Sequence, residues 1–372
     1  MQMQVKIETG VHGYLPSRCH SLNLVLGGEG IALNQIIEVF GPEGSGKSTL
    51  LYEWLNIASQ KGFIPILMDQ ERCAFKDRIA KFGLYSPTEN QHGNFVYDRG
   101  IHIEDIFDRL DKHLKFVPKG TPVVVGIDSA GIVTSERNWT RAERDGKGAQ
   151  QGSVAKAWWE ELRIWFTKAE IHNVTVIVLN HETADFHNTS NNFAATTSPG
   201  GQGIKHCAVS RLTVSPYKML TNEYGTPIGR ALRVKTLKNK VAAPFQTCWI
   251  PIYFGNPALP PGQDFVGSYD ALACLWYFKG HSDGSRDKKV INGKKVVNNR
   301  GSWNYFDIVD PNTGEIYANA ESLADVKWQG DVDWCIRVFP EHQEAIHRLM
   351  SWVHFHPDTW TGNNLIVPGG SE

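Results

Sequence analysis

The chain has 372 residues, 41% hydrophobic and 21% charged, which is enough to bury at least one substantial core and suggests about two domains. Its 38 basic residues balance 39 acidic ones, so a general electrostatic attraction to nucleic acid is excluded and any DNA site must come from local clustering. No run approaches the roughly 18 apolar residues of a membrane span, and the six cysteines lie far apart with no CxxC or Cys/His metal spacing. The first residues carry no charged-then-apolar leader. A soluble cytoplasmic protein with reduced thiols and no membrane partner is expected.

In chain order, residues 35–40 read as a strand that runs into a glycine-rich turn. A helix follows, with Leu50, Leu51, Trp54, Leu55 and Ala58 on one face and Gly62 at its end. Residues 63–68 form a second strand stopping at Asp69, and Ile103, Ile106, Phe107, Leu110 and Leu114 mark an amphipathic helix. Residues 122–127 and 174–179 are apolar on both faces, as central parallel strands are. This alternation predicts an α/β fold with a mostly parallel central sheet. Two long polar stretches, 135–151 and 182–203, interrupt it and read as functional loops. After Pro260-Pro261-Gly262 the texture changes: residues 290–297 hold an Asn-Gly hairpin signal, and a helical stretch runs from about 341 to 352. The expected division is a short segment over 1–20, an ATPase core over 21–262 and a small α/β domain over 263–372, whose last ten residues are expected to fray.

Residues 41–48, Gly41-Pro42-Glu43-Gly44-Ser45-Gly46-Lys47-Ser48, fit the phosphate-binding pattern GxxxxGK[ST], and Thr49 continues it into the helix. Glycines free the backbone N–H groups to wrap phosphates, and the helix directs its positive end at them. Lys47 is placed to reach the β- and γ-phosphates of ATP, and the Ser48 hydroxyl to bind Mg²⁺. Asp128, ending an apolar strand, can hold the Mg²⁺ shell or cap a turn. Glu71, just past another strand end, can orient and deprotonate water or form a surface ion pair.

These residues resemble the RecA family, and especially its phage branch with the UvsX-type recombinases. The likeness runs from about residue 7 to about residue 352. It is carried by residues 21–27, the phosphate loop, Asp69 to Glu71, Ile127-Asp128-Ser129, Asn180-His181 and residues 200–205. The stretch 234–245, Val-Lys-Thr-Leu-Lys-Asn-Lys-Val-Ala-Ala-Pro-Phe, is the most specific. Residues 301–306 and 339–349 resemble the small C-terminal domain. The resemblance implies Glu71 as catalytic carboxylate and His181 as sensor of the γ-phosphate. It also implies Lys238 and Lys240 as cations delivered across a filament interface, in the manner of an arginine finger. Arg78 falls where RecA stacks on adenine, and His181 stands where RecA itself has glutamine. The docking helix that usually precedes the core, and the acidic tail of RecA, are expected to be missing.

The polar stretches fall where this family binds DNA. The first holds Arg137, Trp139, Arg141, Arg144 and Lys147 among acidic residues, a mixture that fits single-stranded DNA or a solvated loop equally. The second holds Phe186 and Phe193, with Lys205 just beyond it. Around the hairpin, Arg286, Lys288, Lys289, Lys294, Lys295 and Arg300 form a basic patch, suited to duplex DNA or to guarding a sheet edge. The reading as a whole is an ATP-dependent strand-exchange recombinase acting as a helical filament on single- and double-stranded DNA, with single-strand-binding and mediator proteins as further partners. A ring helicase, or a nucleotide-switched annealing protein with little turnover, remains the alternative.

Overall fold

The computed structural model describes residues 12–85, 94–145, 152–184, 196–222, 224–255, 266–279, 290–291, 294–309 and 313–355. Nine strands build one sheet: β1 (Ile36–Gly41), β2 (Ile64–Asp69), β3 (Val96–Asp98), β4 (Val123–Asp128), β5 (Val174–His181), β6 (Ser210–Thr221), β7 (Pro227–Asn239), β8 (Thr247–Phe254) and β9 (Val266–Ser268). Their order is β9-β8-β7-β6-β1-β5-β4-β2-β3. The run from β6 to β3 is parallel, and β6 to β9 is antiparallel. The central strands β1, β4 and β5 are buried on both faces almost throughout, which explains their unbroken Val/Ile/Leu runs.

One face of the sheet packs on α1 (His20–Leu26) and α2 (Lys47–Gln60), through Leu22, Leu51, Trp54 and Leu55. The other packs on α3 (Ile103–Leu114) and α5 (Ser153–Ile171), where Phe107 meets Trp158 and Trp165. Between α3 and α5 in sequence lies α4 (Glu136–Asp145). A second core, around Phe278, Phe306, Trp328 and Trp334, is built from α7 (Asp270–Lys279), α8 (Phe339–Phe355) and a three-stranded sheet of Val297–Arg300, Trp303–Phe306 and Lys327–Trp328. Leu24 of α1 also belongs to it. Among the described residues no helix is long and apolar enough to cross a membrane.

Three features differ from the sequence reading. The stretch 135–151 is no structureless loop, because α4 occupies residues 136–145. Its first turn is fastened by Ser135, whose carbonyl accepts from the Trp139 N–H (3.0 Å) and whose Oγ accepts from the Asn138 N–H (3.4 Å). The main sheet also runs past residue 262, since β9 hydrogen-bonds to β8. The buried Glu53 of α2 holds that edge, accepting from the Ser268 N–H (2.5 Å) and hydroxyl (2.7 Å). Finally, Tyr14–Leu15 pairs with Ile31–Ala32, and Leu15 and Cys19, both ahead of Ser21, belong to the core.

Candidate nucleotide site and its connections

The parallel strands set the geometry, because their C-terminal ends open onto one crevice where ligands of α/β sheets bind. Register brings together residues far apart in sequence: Gly41 of β1 lies opposite His181 of β5, and Asp69 of β2 opposite Asp128 of β4. The phosphate-loop residues leave β1 there and enter α2 at Lys47. Gly46 has φ 85°, and a Cβ on it would stand 2.7 Å from Leu232 Cδ1, so the turn admits only glycine. Pro42 is half-buried, Glu43 and Gly44 are exposed, and Ser45 is buried. Ser48 and Thr49 lie half-buried in the first turn of α2.

Lys47 folds back over the loop, donating from Nζ to the carbonyls of Gly41 (3.0 Å) and Pro42 (2.8 Å). Burial lowers its pKa, while Glu71 and Asp128 act to raise it. The Asp128 side chain is buried at the strand end, where the Ser48 hydroxyl acts to lower its pKa. Burial pushes the Asp128 carboxyl up to about 6; the Ser48 hydroxyl opposes this, and Glu71 and Asp69 reinforce it. A hydroxyl beside a carboxylate burdened by burial and like charge is the donor set a hard cation favours, so these two residues fit Mg²⁺.

Glu71 sits on a turn fixed by Asp69, whose carboxylate accepts from the N–H of Cys73 (3.3 Å) and Ala74 (3.0 Å) and from the Tyr97 hydroxyl (3.0 Å). The Ser129 hydroxyl donates to Glu71 Oε1 (2.6 Å), and His181 Nε2 lies 3.2 Å from that oxygen and 3.1 Å from Ser129 Oγ. Glu71, Ser129 and His181 therefore form one hydrogen-bonded cluster. Gly131 leaves room for the imidazole: a Cβ there would stand 2.7 Å from His181 Cδ2.

A second network lies behind the first. Glu38, wholly buried in β1, pairs with Arg211 Nε of β6 (2.5 Å) and accepts from Asn180 Nδ2 (3.1 Å). Asn180 also donates to the Pro199 carbonyl (2.9 Å), and Arg211 to Ser198 Oγ (3.1 Å). The residue preceding His181 is thus tied to the far end of the stretch 182–203. At the base of that stretch Thr183–Ala184 pairs with Thr196–Thr197.

The remaining expected site residues divide. Lys238 Nζ donates to the carbonyls of Lys205 (2.8 Å) and His206 (3.1 Å), capping α6 (Gly201–Cys207) within its own chain. Burial and the neighbouring Lys240 lower its pKa. Lys240 is exposed and Lys205 half-buried. Arg78 lies over the Tyr52 ring, 5.3 Å from its centroid. On α4, Arg137, Arg141 and Arg144 share one face at helical spacing, while Trp139, 41% exposed, projects roughly opposite them. Basic and aromatic groups therefore do not form a single surface there. Lys147, Phe186, Phe193, Lys288 and Lys289 lie outside the described residues; Lys294 and Lys295 form a strand paired with Val290–Ile291.

Sequence reasoning missed Ser129 as the bridge, the Glu38–Arg211–Asn180 network, and Arg230, which donates from Nη1 to the Gly44 carbonyl (2.9 Å). Glu38 did carry a signal, as a lone charge inside an otherwise apolar strand. Arg230 carried none, being one of several basic residues on β7.

The model of the RecA N-terminal domain family matches residues 1–258. Protein RecA of Thermus thermophilus is 28% identical over 262 residues, covering 68% of this chain and 70% of its own. Protein RecA of Methylococcus capsulatus is 28% identical over 272 residues, covering 72% and 74%. Among solved structures, the RadB recombinase superposes with a TM-score of 0.49 at 17% identity, covering 68% of this chain and 99% of that one.

Proposed function

This chain belongs to the RecA family, and from that premise we propose that it is a DNA-dependent ATPase and strand-exchange recombinase that assembles as a helical filament on single-stranded DNA. The observation that carries the reading is the Glu71–Ser129–His181 cluster beside the phosphate loop, linked through Asn180, Glu38 and Arg211 to Ser198 and Pro199. A site built only to hold nucleotide has no need of a bonded path from its carboxylate to a polar stretch.

In the proposed mechanism Lys47 leaves the Gly41 and Pro42 carbonyls to meet the phosphates of ATP. Ser48 and Asp128 would hold Mg²⁺, which when bound would supply positive charge to offset that developing on the phosphate oxygens. Glu71 takes the proton of the attacking water, and Ser129 and His181 fix its carboxylate in place. Lys238 and Lys240 act on the ATP of the adjacent subunit. For Lys238 this means giving up the α6 carbonyls, so filament contact and the position of α6 are coupled. The arginine face of α4 and the stretch 182–203 hold the single strand through its phosphates. Duplex DNA is gathered by the basic residues around 286–300. The pair Asn180-His181 favours the phage branch, for which single-strand-binding and mediator proteins are the fitting partners.

The test is ATP hydrolysis with and without single-stranded DNA, with assemblies from the same reactions imaged by electron microscopy. DNA-stimulated hydrolysis with helical filaments supports the proposal. Closed rings with unwinding of a tailed duplex would identify a helicase, and DNA-indifferent assembly with negligible hydrolysis a nucleotide-switched annealing protein.

A further inference from the structure

Away from the nucleotide site, three side chains of unlike chemistry converge where α1, α7 and α8 meet. Asp270 and Cys274 stand one turn apart on α7, so they share a face. His347 reaches them from α8. Cys274 Sγ lies 3.4 Å from Asp270 Oδ1, and His347 Nε2 lies 2.8 Å from Asp270 Oδ2. One ligand atom from each of the three falls within 4.8 Å of the other two. We propose that Asp270, Cys274 and His347 form a binding site for one divalent d-block cation, zinc being the best fit, with solvent as the fourth ligand.

The donor set is the first reason. Thiolate sulfur, imidazole nitrogen and carboxylate oxygen together are the ligands zinc takes, and a hard cation such as Mg²⁺ would not choose the sulfur. Charge is the second. Cys274 is wholly buried, a position in which a thiolate is costly unless paired. A dication with one thiolate, one carboxylate and a neutral imidazole makes a unit of zero net charge. On binding, the Cys274 proton leaves to solvent and the metal–sulfur bond replaces the S–H bond. Access is the third: the Asp270 and His347 side chains keep 14% and 24% of their surface exposed, which leaves an entry path and an open coordination position.

The surroundings hold these ligands as an outer shell should. Asp270 Oδ1 accepts from the His20 N–H (2.7 Å), and the His20 ring stacks on His347 with centroids 4.2 Å apart. His20 Nε2 lies 3.0 Å from Ser351 Oγ, which donates to the His347 carbonyl (2.9 Å). His20 belongs to α1, which packs on the main sheet. An occupied site would therefore join the sheet body to the second core. The three residues show no motif in the sequence because His347 is 77 positions from Asp270.

The test uses the full chain, stripped with chelator and titrated with Co²⁺ as a spectroscopic stand-in for Zn²⁺. The expected result is a thiolate-to-cobalt charge-transfer band that saturates at a single equivalent and is displaced by Zn²⁺. The Ser48–Asp128 pair contains no sulfur and is silent in that band, so failure of the nucleotide-site reading leaves this readout intact. Cys274→Ser should abolish the band. His347→Gln should weaken binding at least about tenfold, since even outer-shell changes cost about 10–100-fold. Zn²⁺ should raise the melting temperature of the wild type and leave that of Cys274→Ser unmoved. A wild-type chain with no charge-transfer band, or a band that survives Cys274→Ser, overturns the proposal. Should Cys274→Ser fail to fold, the wild-type titration and His347→Gln decide it alone.

Discussion

The buried pair between Glu38 and Arg211 offers a quantitative test of the network behind the nucleotide site. Glu38 has no exposed surface, and Arg211 keeps only 14% of its side chain exposed, so water screens neither charge well. Arg211→Met preserves much of the volume but leaves the Glu38 carboxylate with Asn180 Nδ2 as its remaining partner. Removing one member of a buried ion pair costs about 3–5 kcal/mol, mostly from the stranded charge. Replacing both members with apolar residues of similar size is often nearly neutral. Glu38→Leu/Arg211→Met should therefore recover most of what the single variant loses, giving a coupling energy of at least about 2 kcal/mol. Urea unfolding of the nucleotide-free protein, followed by tryptophan fluorescence, measures all four corners of the cycle. Where ATP hydrolysis responds to DNA as proposed, the recovered stability should not restore that response, because Asn180 and Ser198 have lost the groups that tie them together. An Arg211→Met variant within about 1 kcal/mol of wild type, or a double variant no more stable than the single one, would refute the reasoning.

Three further outcomes follow from the same geometry. Glu71→Gln should retain ATP binding and lose hydrolysis by about 10²–10⁴-fold, the usual worth of a positioned general base; nucleotide-binding and phosphate-release assays on one preparation separate the two. Arg230→Ala should weaken ATP binding by about tenfold or less, since it removes one exposed charge-assisted bond to the Gly44 carbonyl, and a fluorescent nucleotide titration reads this directly. Glu161 of α5 has its carboxyl pushed up to about 7, first by burial and then by Glu104 and Asp108. Between pH 4.5 and 7 the native state holds a proton that the unfolded chain has lost, so stability falls as pH rises through that window. Glu161→Gln should match wild type near pH 4.5 and exceed it by about 1–2 kcal/mol near pH 8, after allowance for solvent screening of a half-exposed group; parallel pH profiles that never separate would contradict this.

How far the fold could be read depended on whether its cause was local. The strands β1, β2, β4 and β5 and the helices α2 and α3 declare themselves through continuous or periodic apolar residues. Helix α5 does not, although Trp158, Leu162, Trp165 and Ala169 face the core at helical spacing. Its outer face carries Trp159, Ile164, Phe166 and Ile171, so the apolar stripe is blurred. Helix α4 is polar apart from Trp139 and Ala142, and polarity reads as a loop; its signals were the Ser135 cap, with Glu136 in the first turn and Arg144 in the last.

The site divides along the same line. Phosphate-binding chemistry is local, because glycine, lysine and serine must be neighbours on one turn for the backbone to wrap an anion, so a motif of eight residues shows it. The proposed catalytic and coupling chemistry is a product of register. Glu71, Ser129 and His181 leave the ends of β2, β4 and β5, and they meet only because Asp69 pairs with Asp128 and Ile127 with Val178. A slip of one residue in any of these pairings would turn the side chains to the other face. The residue adjoining His181 is itself fastened, Asn180 donating to Glu38 and to the Pro199 carbonyl. In the proposed mechanism, movement at the phosphate loop would reach the stretch 182–203 through strand ends already locked in register, and the buried Glu38 is where β1, β5 and β6 share a single charge.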